Sequence, residues 1–235
     1  WLETGWPDQR AEQWRFTRLS SLEKMALRPA QHASSSSGVN CISAILPKDA
    51  VVLSFSNGVL DLAGLADLPA GVSASQLDGN EEVLARVADL VPQSHPVSDL
   101  SLAAMSSGIH LEIAGSIESP IILIFTGDDS SVSTHPVVSV RLEDGAAAVL
   151  AEWHQSAAGL SAPLLSIDIG EQAHLDYAKV QQDSTTSAHL AATGLLLGEG
   201  SVFDGFQISA GAQLARLETH VTLSGENADC TLSAV

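Results

Sequence analysis

From Gly108 onward, short apolar runs follow one another, separated by Gly, Asp, Asn and Ser. Their character is either alternating or continuously apolar, which is typical of β-strands bounded by turns. The runs are IHLEIAG, PIILIFTG, HPVVSVRLEDG, AAAVLAEW, LLSIDIG, AHLDYAKV, ATGLLLG, SVFDGFQI, ARLETHVTLSG and DCTLSAV. The pattern predicts that this half of the chain consists of strands.

A glycine beside an acidic residue recurs between these runs, and its spacing indicates a structural repeat. The interval is 25 residues from Gly145 to Gly170, 28 from there to Gly198 and 27 from there to Gly225. This period is typical of solenoids, in which each coil adds a few short elements and packs on its neighbours. No unit carries the L-x-x-L-x-L pattern of a leucine-rich repeat, so we predict a β-helix. A β-sandwich, whose strands also recur at short intervals, is the alternative.

The first half of the chain has a mixed pattern. Apolar residues occur at helical spacing in residues 81–91 and again in 97–106, which predicts two amphipathic helices. Asn57-Gly58 lies between the apolar runs VVLSFS and VLDL, and it predicts a β-hairpin because both residues tolerate positive φ. We therefore divide the chain into an N-terminal region, residues 1–106, and a β-helix core, residues 107–235.

Both ends of the chain carry local signals. Ser20 and Glu23 have the spacing of a capping box, which predicts a short helix that ends at Arg28-Pro29. The Ser-rich stretch QHASSSSG, residues 31–38, is expected to be a linker. At the other end, CTLSAV alternates like an unfinished strand. We expect the β-helix to be truncated there and its free strand edge to support self-association.

Composition agrees with stacked strands and restricts the partners. Apolar residues make up 45% of the 235 residues but aromatic residues only 4%, so Ala, Val, Leu and Ile must fill the core. The formal net charge of −18 opposes binding to nucleic acid or to an anionic membrane. No apolar run approaches the roughly 20 residues needed to cross a bilayer, and no secretory signal is visible. We expect a protein partner and a cytoplasmic location.

The sequence contains no recognised catalytic motif. None of the patterns G-x-S-x-G, G-x-x-x-x-G-K-[ST] and G-x-G-x-x-G occurs, so the chain is predicted not to be an enzyme. A β-helix carbohydrate-active enzyme is one alternative, and a structural or adhesive solenoid is another. The carbohydrate enzyme would require a cluster of Asp168, Asp176 and Asp204 with Lys179 or Arg216.

Metal binding by histidine is a further possibility. His174 and Asp176 are two residues apart on a predicted strand and so face the same side, where His189 and His220 from neighbouring coils could stack near them. No H-x-H or H-x-x-x-H pair supports this site. Single histidines on strands are more often hydrogen-bonded structural residues.

The two cysteines, Cys41 and Cys230, are far apart and have no metal-binding spacing. Thiolate is the usual ligand of an iron–sulfur cluster, but two isolated cysteines cannot supply four ligands. Cys230 is therefore a weak candidate ligand and is expected to be a buried structural thiol. Free thiols agree with a reducing compartment.

The stretch GWPDQRAEQWRFTRL near the N-terminus concentrates Trp and Arg in a chain that is otherwise acidic and poor in aromatic residues. It could contact a partner or pack the N-terminal arm against the core through Trp14 and Phe16, and packing is the preferred interpretation.

The stretch resembles the N-terminal signature of the SufB/SufD family of SUF-system iron–sulfur cluster assembly proteins, and within that family SufD. The matching residues are Pro7, Arg10, Glu12, Trp14, Arg15, Phe16 and Thr17. Residues 100–125 and 215–235 are similar to two further family blocks.

This resemblance implies a fold and a role. Family members have an N-terminal helical region and a right-handed parallel β-helix core, and SufD pairs with SufB and the ATPase SufC as a scaffold for cluster assembly. The implied role is a non-catalytic subunit with SufB-like and SufC-like partners. It would bind no cofactor by itself and would hold an iron–sulfur cluster transiently in the full complex. The family residues linked to SufC binding and cluster formation lie in a C-terminal part without a counterpart in residues 1–235, so none is assigned.

Overall fold

Two β-sheets made by successive coils of the chain form the body of the protein. The computed structural model describes residues 5–7, 12–20, 22, 25, 27–30, 42, 45–92 and 95–235. From Ser107 onward the chain alternates between the two sheets and adds one main strand to each sheet per coil, for about five turns. Adjacent coils pair in parallel, so the predicted mainly β solenoid is confirmed.

The two sheets are named A and B. Sheet A contains β1 (Arg28–Pro29), β4 (Val72–Gln76), β5 (Ser107–Ile113), β7 (Val132–Thr134), β8 (Pro136–Leu142), β10 (Leu160–Ser161), β11 (Leu164–Ile169), β13 (Ala188–Leu197) and β15 (Leu214–Leu223). Sheet B contains β2 (Val51–Ser56), β3 (Val59–Leu60), β6 (Ile121–Gly127), β9 (Ala147–Ser156), β12 (His174–Gln181), β14 (Val202–Ser209) and β16 (Asp229–Ala234). The order in sheet A is β1-β7-β10-β13-β11-β8-β5-β4, with β15 paired to β13, and in sheet B it is β16-β14-β12-β9-β6-β2-β3.

The coil length follows from the strand register. Ala147 of β9 lies beside His174 of β12, which in turn lies beside Val202 of β14. Val202 lies beside Asp229 of β16. The coils are thus 27 residues from 147 to 174, 28 from 174 to 202 and 27 from 202 to 229.

The turns before the last four strands of sheet B, β9, β12, β14 and β16, each have one residue with left-handed backbone. Gly145, Gln172, Gly200 and Asn227 have φ of 69°, 56°, 61° and 58° and recur at the coil length. Gly and Asn adopt this conformation readily, and Gln172 is the exception. The predicted interval of 25 residues is therefore wrong, because Gly145 corresponds to Gln172 in the next coil and not to Gly170.

Gly170 and Gly225, two residues before Gln172 and Asn227, are needed for a different reason. A Cβ on Gly225 would lie 2.1 Å from the backbone nitrogen of Glu199 in the preceding coil, and one on Gly170 would lie 2.8 Å from the backbone nitrogen of Asp144. Any side chain there would push adjacent coils apart. The recurring glycine therefore marks close coil-to-coil approach.

Two short helices cover the outer face of sheet A. The first, α1 (Glu81–Asp89), is capped by Asn80, and the second, α2 (Pro96–Ala103), is capped by His95. Both lie largely within the predicted ranges, so both helices are confirmed. Their apolar sides pack on outward-facing residues of the sheet. This helix core includes Val83, Val87, Val97, Leu100, Val137, Leu164, Leu190 and Ala192.

The predicted hairpin is confirmed, and it belongs to the same sheets as the later coils. Asn57 and Gly58 have φ of 48° and 78° and connect β2 to the antiparallel β3. Strand β2 also pairs in parallel with β6, and β4 pairs antiparallel with β5. The division after residue 106 stays a prediction, although strands from before it extend both sheets.

The expectations for the first forty residues are largely untested. The helix predicted at Ser20 and Glu23 and the linker at 31–38 fall mostly or wholly outside the described residues. The predicted end of that helix, Arg28-Pro29, is the short strand β1, which pairs in parallel with β7. The N-terminal arm therefore extends sheet A at this point.

Candidate functional site

Alternate residues of each sheet B strand point into the space between the two sheets, here called the interior. One interior row crosses neighbouring strands in the order Leu53, Leu123, Glu152, Lys179 and Gln207. The first two residues belong to the apolar core, whereas the next two are oppositely charged and each only 2% exposed. The character of the interior therefore changes between β6 and β9.

A second row beside the first changes in the same way. It runs from Phe55 through Phe125 to His154, Gln181 and Ser209. The rings of Phe55 and Phe125 are stacked with centroids 4.9 Å apart, and the His154 ring stacks on Phe125 at 4.4 Å with an interplanar angle of 3°. Histidine thus continues an aromatic stack while introducing polar atoms into the interior.

Glu152 is the centre of the polar part. Its carboxylate lies 3.3 Å from the Lys179 ammonium and 2.7 Å from His154 Nε2, and it also accepts a hydrogen bond from the Tyr177 hydroxyl. Burial by itself would raise the pKa of Glu152, but the charge of Lys179 and the bonds from His154 and Tyr177 outweigh it. The pKa is held well below its usual range, so Glu152 is ionised.

Two of the partners of Glu152, His154 and Tyr177, are neutral at pH 7. Burial, and then the charge of Lys179, lower the pKa of His154 to about 4. Burial and the nearby Glu152 charge raise the pKa of Tyr177 well above its usual value. His154 therefore donates from Nε2, which leaves its Nδ1 as an acceptor.

A second acid–histidine pair adjoins the first. His189 Nδ1 lies 2.6 Å from Asp183 Oδ2, and the backbone N–H of Ser156 donates to Asp183 Oδ1 at 2.7 Å. The rings of His154 and His189 meet edge to face with centroids 4.9 Å apart. Burial lowers the pKa of His189 although Asp183 opposes this, so a neutral ring donates from Nδ1.

We name this group the interior cluster. Its members are Glu152, His154, Tyr177, Lys179, Gln181, Asp183 and His189. Among the described residues, His154 Nδ1, His189 Nε2 and Gln181 Nε2 are buried without a hydrogen-bond partner. Unpaired buried polar atoms are costly and rare, so each requires an explanation. Two of these atoms are acceptors and one is an amide donor, so each retains the capacity for a further hydrogen bond.

The histidines predicted as metal ligands are not brought together. His174 Nε2 lies 3.2 Å from Asp176 on the exposed face of sheet B, with Asp204 at 3.8 Å. His189 and His220, however, lie on β13 and β15 of sheet A. The expectation that they stack near His174 is therefore wrong, because the coil carries them to the opposite sheet. Metal binding by any of these residues stays a prediction.

Cys230 is half-buried and packs against the apolar part of the interior, and Cys41 lies outside the described residues. Burial, followed by the charges of Asp229 and Asp204, raises the pKa of the Cys230 thiol. The thiolate that would bind a metal is therefore disfavoured at neutral pH.

The residues considered for a carbohydrate enzyme are also separated. Asp176 and Asp204 are neighbours on sheet B, but Asp168 lies on sheet A, 3.8 Å from Arg141. Lys179 is enclosed in the interior. Arg216 is on β15 of sheet A, so the cluster that this enzyme class requires does not form.

The N-terminal signature packs as expected in one part and not in another. Trp14, at the end of a 3₁₀ helix that begins at Glu12, is 2% exposed and belongs to the helix core. Arg216 lies over its ring, 4.1 Å from the centroid, and donates to Thr17 Oγ1 at 3.0 Å. Phe16, by contrast, is 92% exposed, so the expectation that it anchors the arm is wrong.

A further signature residue, Arg15, adds little to this packing. The Arg15 guanidinium lies over the exposed Phe16 ring, 5.5 Å from its centroid. Pro7 is partly buried, and Arg10 is outside the described residues. The signature is therefore anchored through Trp14 and Thr17.

The alternation of residues along the strands indicates the interior cluster, although no sequence motif marks it. In AVLAEWHQS, Glu152 and His154 have the same parity as the inward-facing Ala148 and Leu150. In HLDYAKVQ, Lys179 likewise shares the parity of Leu175. Ionisable residues at inward positions of a strand indicate a buried polar site.

Together these features define a class: a parallel β-solenoid with one helix-covered sheet and a charged interior. In the described part of the chain, no helix has the length and apolar character needed to span a membrane. Residues 124–235 match the family model described as SUF system FeS cluster assembly, SufBD core domain. The resemblance to the SufB/SufD family is therefore confirmed.

Two relatives extend this likeness over nearly the whole chain. The chain is 24% identical over 244 residues to "Protein ABCI7, chloroplastic" of Arabidopsis thaliana, covering 95% of the chain and 51% of the relative. It is also 24% identical over 242 residues to "Iron-sulfur cluster assembly SufBD family protein slr0076" of Synechocystis sp., covering 94% and 53%. The chain spans about half the length of the curated relatives it matches.

Proposed function

We propose that this chain is a non-catalytic scaffold component of a SUF iron–sulfur cluster assembly complex, in which it pairs with a SufB-like subunit and a SufC-like ATPase. The observation that carries the proposal is the match of residues 124–235 to the SufBD core domain, since these residues include most of the solenoid. An iron–sulfur cluster is then transient cargo of the whole complex and not a resident cofactor of this chain.

The structure supports a scaffold in preference to an enzyme. The acids and bases considered for a carbohydrate-active enzyme do not form one cluster, and the interior cluster is enclosed between the sheets. Stacked coils also offer long, regular surfaces for other subunits. The proposed location is the cytoplasm, whereas the Arabidopsis relative is named as chloroplastic.

Co-expression tests the proposal. The chain, in the longest form that its gene encodes, is produced with the SufB-like and SufC-like proteins of the same organism, and a tag on the SufC-like protein is used for purification. We expect the three proteins to elute together in size-exclusion chromatography. Elution of this chain alone would overturn the proposal.

Two controls make the result specific. Gly225→Val places a side chain against Glu199 of the neighbouring coil, so it should distort the stacked coils and weaken association. His174→Ala changes only an exposed residue and should not. Depolymerisation of an acidic polysaccharide by the purified chain would instead favour the carbohydrate-active alternative.

A further inference from the structure

We infer that His95, Glu218 and His220 form a binding site for a divalent first-row transition metal ion on the outer face of sheet A. The site lies where the start of α2 meets β15, away from the interior cluster. The inference rests on these side chains alone and is independent of the proposed role in cluster assembly.

The distances between the ligand atoms suit a single ion. His95 Nε2 lies 2.9 Å and His220 Nε2 lies 3.8 Å from the same carboxylate oxygen, Glu218 Oε2, and all three ligand atoms are within 4.8 Å of one another. Zinc bonds to nitrogen and oxygen of about 2.0–2.2 Å place tetrahedral ligands about 3.3 Å apart. Small side-chain adjustments are therefore enough to close the three ligands around a metal.

His220 supplies an independent observation that points to a ligand. Its Nε2 is inaccessible to solvent and makes no hydrogen bond to any described residue, although its side chain as a whole is 26% exposed. The His95 ring lies edge to face against it, with centroids 5.1 Å apart. An imidazole nitrogen left unpaired beside a carboxylate and a second imidazole is available to coordinate a metal.

The neighbours of the site can hold the ligands in place. His95 Nδ1 accepts the Ser98 backbone N–H at 3.3 Å and also lies 3.0 Å from Ser98 Oγ. When Nε2 coordinates a metal, the ring proton must lie on Nδ1, which then donates to the Ser98 hydroxyl and no longer accepts the backbone N–H. Arg216 Nε donates to Glu218 Oε1, which leaves Oε2 for the metal. Arg216 is itself fixed by Trp14 and Thr17, so the N-terminal signature indirectly orients this carboxylate.

The ligand set indicates the kind of ion. Two imidazoles and one carboxylate leave at least one position open, as in His₂Glu zinc sites and in two-histidine, one-carboxylate iron sites. Calcium and magnesium prefer sets made only of oxygen atoms. The site is therefore expected to bind zinc, iron(II) or cobalt(II) and to reject calcium.

The chain contains a second group that serves as a comparison. His174, Asp176 and Asp204 also have ligand atoms within 4.8 Å of one another. Their side chains, however, are 47%, 58% and 52% exposed, and only one of the three is an imidazole. Exposed, mobile ligands lose more freedom on binding, so this group is the control and not the proposed site.

Cobalt(II) titration of the purified, tag-free chain tests the inference, because tetrahedral or five-coordinate cobalt absorbs visible light. We expect one equivalent to bind with such a spectrum and to be displaced by zinc. His220→Ala should weaken cobalt binding at least about tenfold, and His174→Ala should leave it unchanged. His220→Ala removes a ligand but no described hydrogen bond, and circular dichroism would verify that the variant is folded.

A second measurement separates coordination from loose association. A metal that joins α2 to β15 should raise the melting temperature of the native chain and not that of His220→Ala. Ser98→Ala should reduce cobalt affinity about tenfold, because it removes the hydroxyl that can accept from His95 Nδ1 when Nε2 binds the metal. Absence of a cobalt spectrum, equal affinity in His220→Ala, or loss of binding in His174→Ala instead would overturn the inference.

Discussion

The apolar and the charged parts of the interior occupy the same rows of the same sheet, yet they are stabilised differently. Where β2 and β6 meet, Leu53 faces Leu123, and burial of hydrocarbon is sufficient. Where β9 and β12 meet, Glu152 faces Lys179, and burial would be strongly unfavourable without the partners that surround both charges. A solenoid thus fixes the position of each residue but leaves the chemistry of each coil free to differ.

The difference between the apolar and the charged part also affects how strictly each coil selects its neighbour and its register. Leucine rows would pack with little preference for one coil over another, whereas Glu152 can be satisfied only if β9 lies beside β12 in the observed register. The interior cluster is therefore expected to make the register of these coils strict. The predictions below test this comparison, beginning with the largest effect.

Lys179→Met should destabilise the chain by about 3–5 kcal/mol, because it leaves the buried Glu152 carboxylate without its cation. The measurement is the free energy of unfolding from urea denaturation at pH 7. Lys48→Met is the matched control, since Lys48 is exposed, and it should change stability by less than about 0.5 kcal/mol. Equal effects for the two variants would show that the interior charges do not matter.

Leu123→Ala should cost about 2–4 kcal/mol, through loss of buried hydrocarbon and a residual cavity. Leu123 and Lys179 lie on either side of Glu152 in the same row, so the two substitutions compare an apolar and a charged neighbour of Glu152. The cost of Leu123→Ala should be the same at pH 5 and pH 7, because no charge is involved. A strong pH dependence would show that the two parts of the interior are not separable.

Stability should fall as the pH is lowered from about 6.5 toward 4. Buried His154 and His135 have pKa values of about 4, each lowered first by burial, so the unfolded chain binds their protons over this range and the folded chain does not. Each histidine contributes a slope of about 1.4 kcal/mol per pH unit. His154→Phe, which extends the aromatic stack, should reduce the slope, and an unchanged slope would contradict this assignment.

The depressed pKa of Glu152 acts at lower pH. Its contribution is fully present above the unfolded value of about 4.5 and is lost only as the pH falls below that. The histidine and glutamate effects are therefore distinguishable in one pH series of unfolding measurements.

Ser209→Ala should have the smallest effect, a loss of about 1 kcal/mol. The Ser209 hydroxyl donates to Gln181 Oε1 at 3.1 Å, but that oxygen also accepts from the backbone N–H of Gly211. Unfolding measurements should place this variant well above Lys179→Met in stability. A loss as large as that of Lys179→Met would contradict the assignment of Glu152 and Lys179 as the centre of the cluster.

Local signals explain which parts of the fold the sequence could predict. Asn57-Gly58 predicts its hairpin because the turn requires positive φ at both residues, and the apolar spacing of residues 81–91 predicts α1. The parallel pairing of β2 with β6 joins residues about 70 positions apart, and no local pattern specifies it. Strands of two or three residues, such as β1 and β7, are too short to show any period.

Prediction of the sites depends even more on long-range geometry than prediction of the fold does. Strand parity could have identified Glu152 and Lys179 as inward-facing, because that inference needs only the strand itself. The contact between His95 and Glu218 spans 123 residues and requires knowledge of how α2 lies on sheet A. Sequence reasoning placed His220 with His174 because parity within a strand does not say to which sheet the strand belongs.

A double-mutant cycle on Glu152 and Lys179 tests the central claim most directly. It compares the unfolding free energies of Glu152→Gln, Lys179→Met and the double variant with that of the native chain. If the two charges stabilise the interior only as a pair, the decrease in unfolding free energy of the double variant is much smaller than the sum of the decreases of the two single variants. The expected coupling energy is about 2–3 kcal/mol. A coupling energy of zero within error would contradict the account.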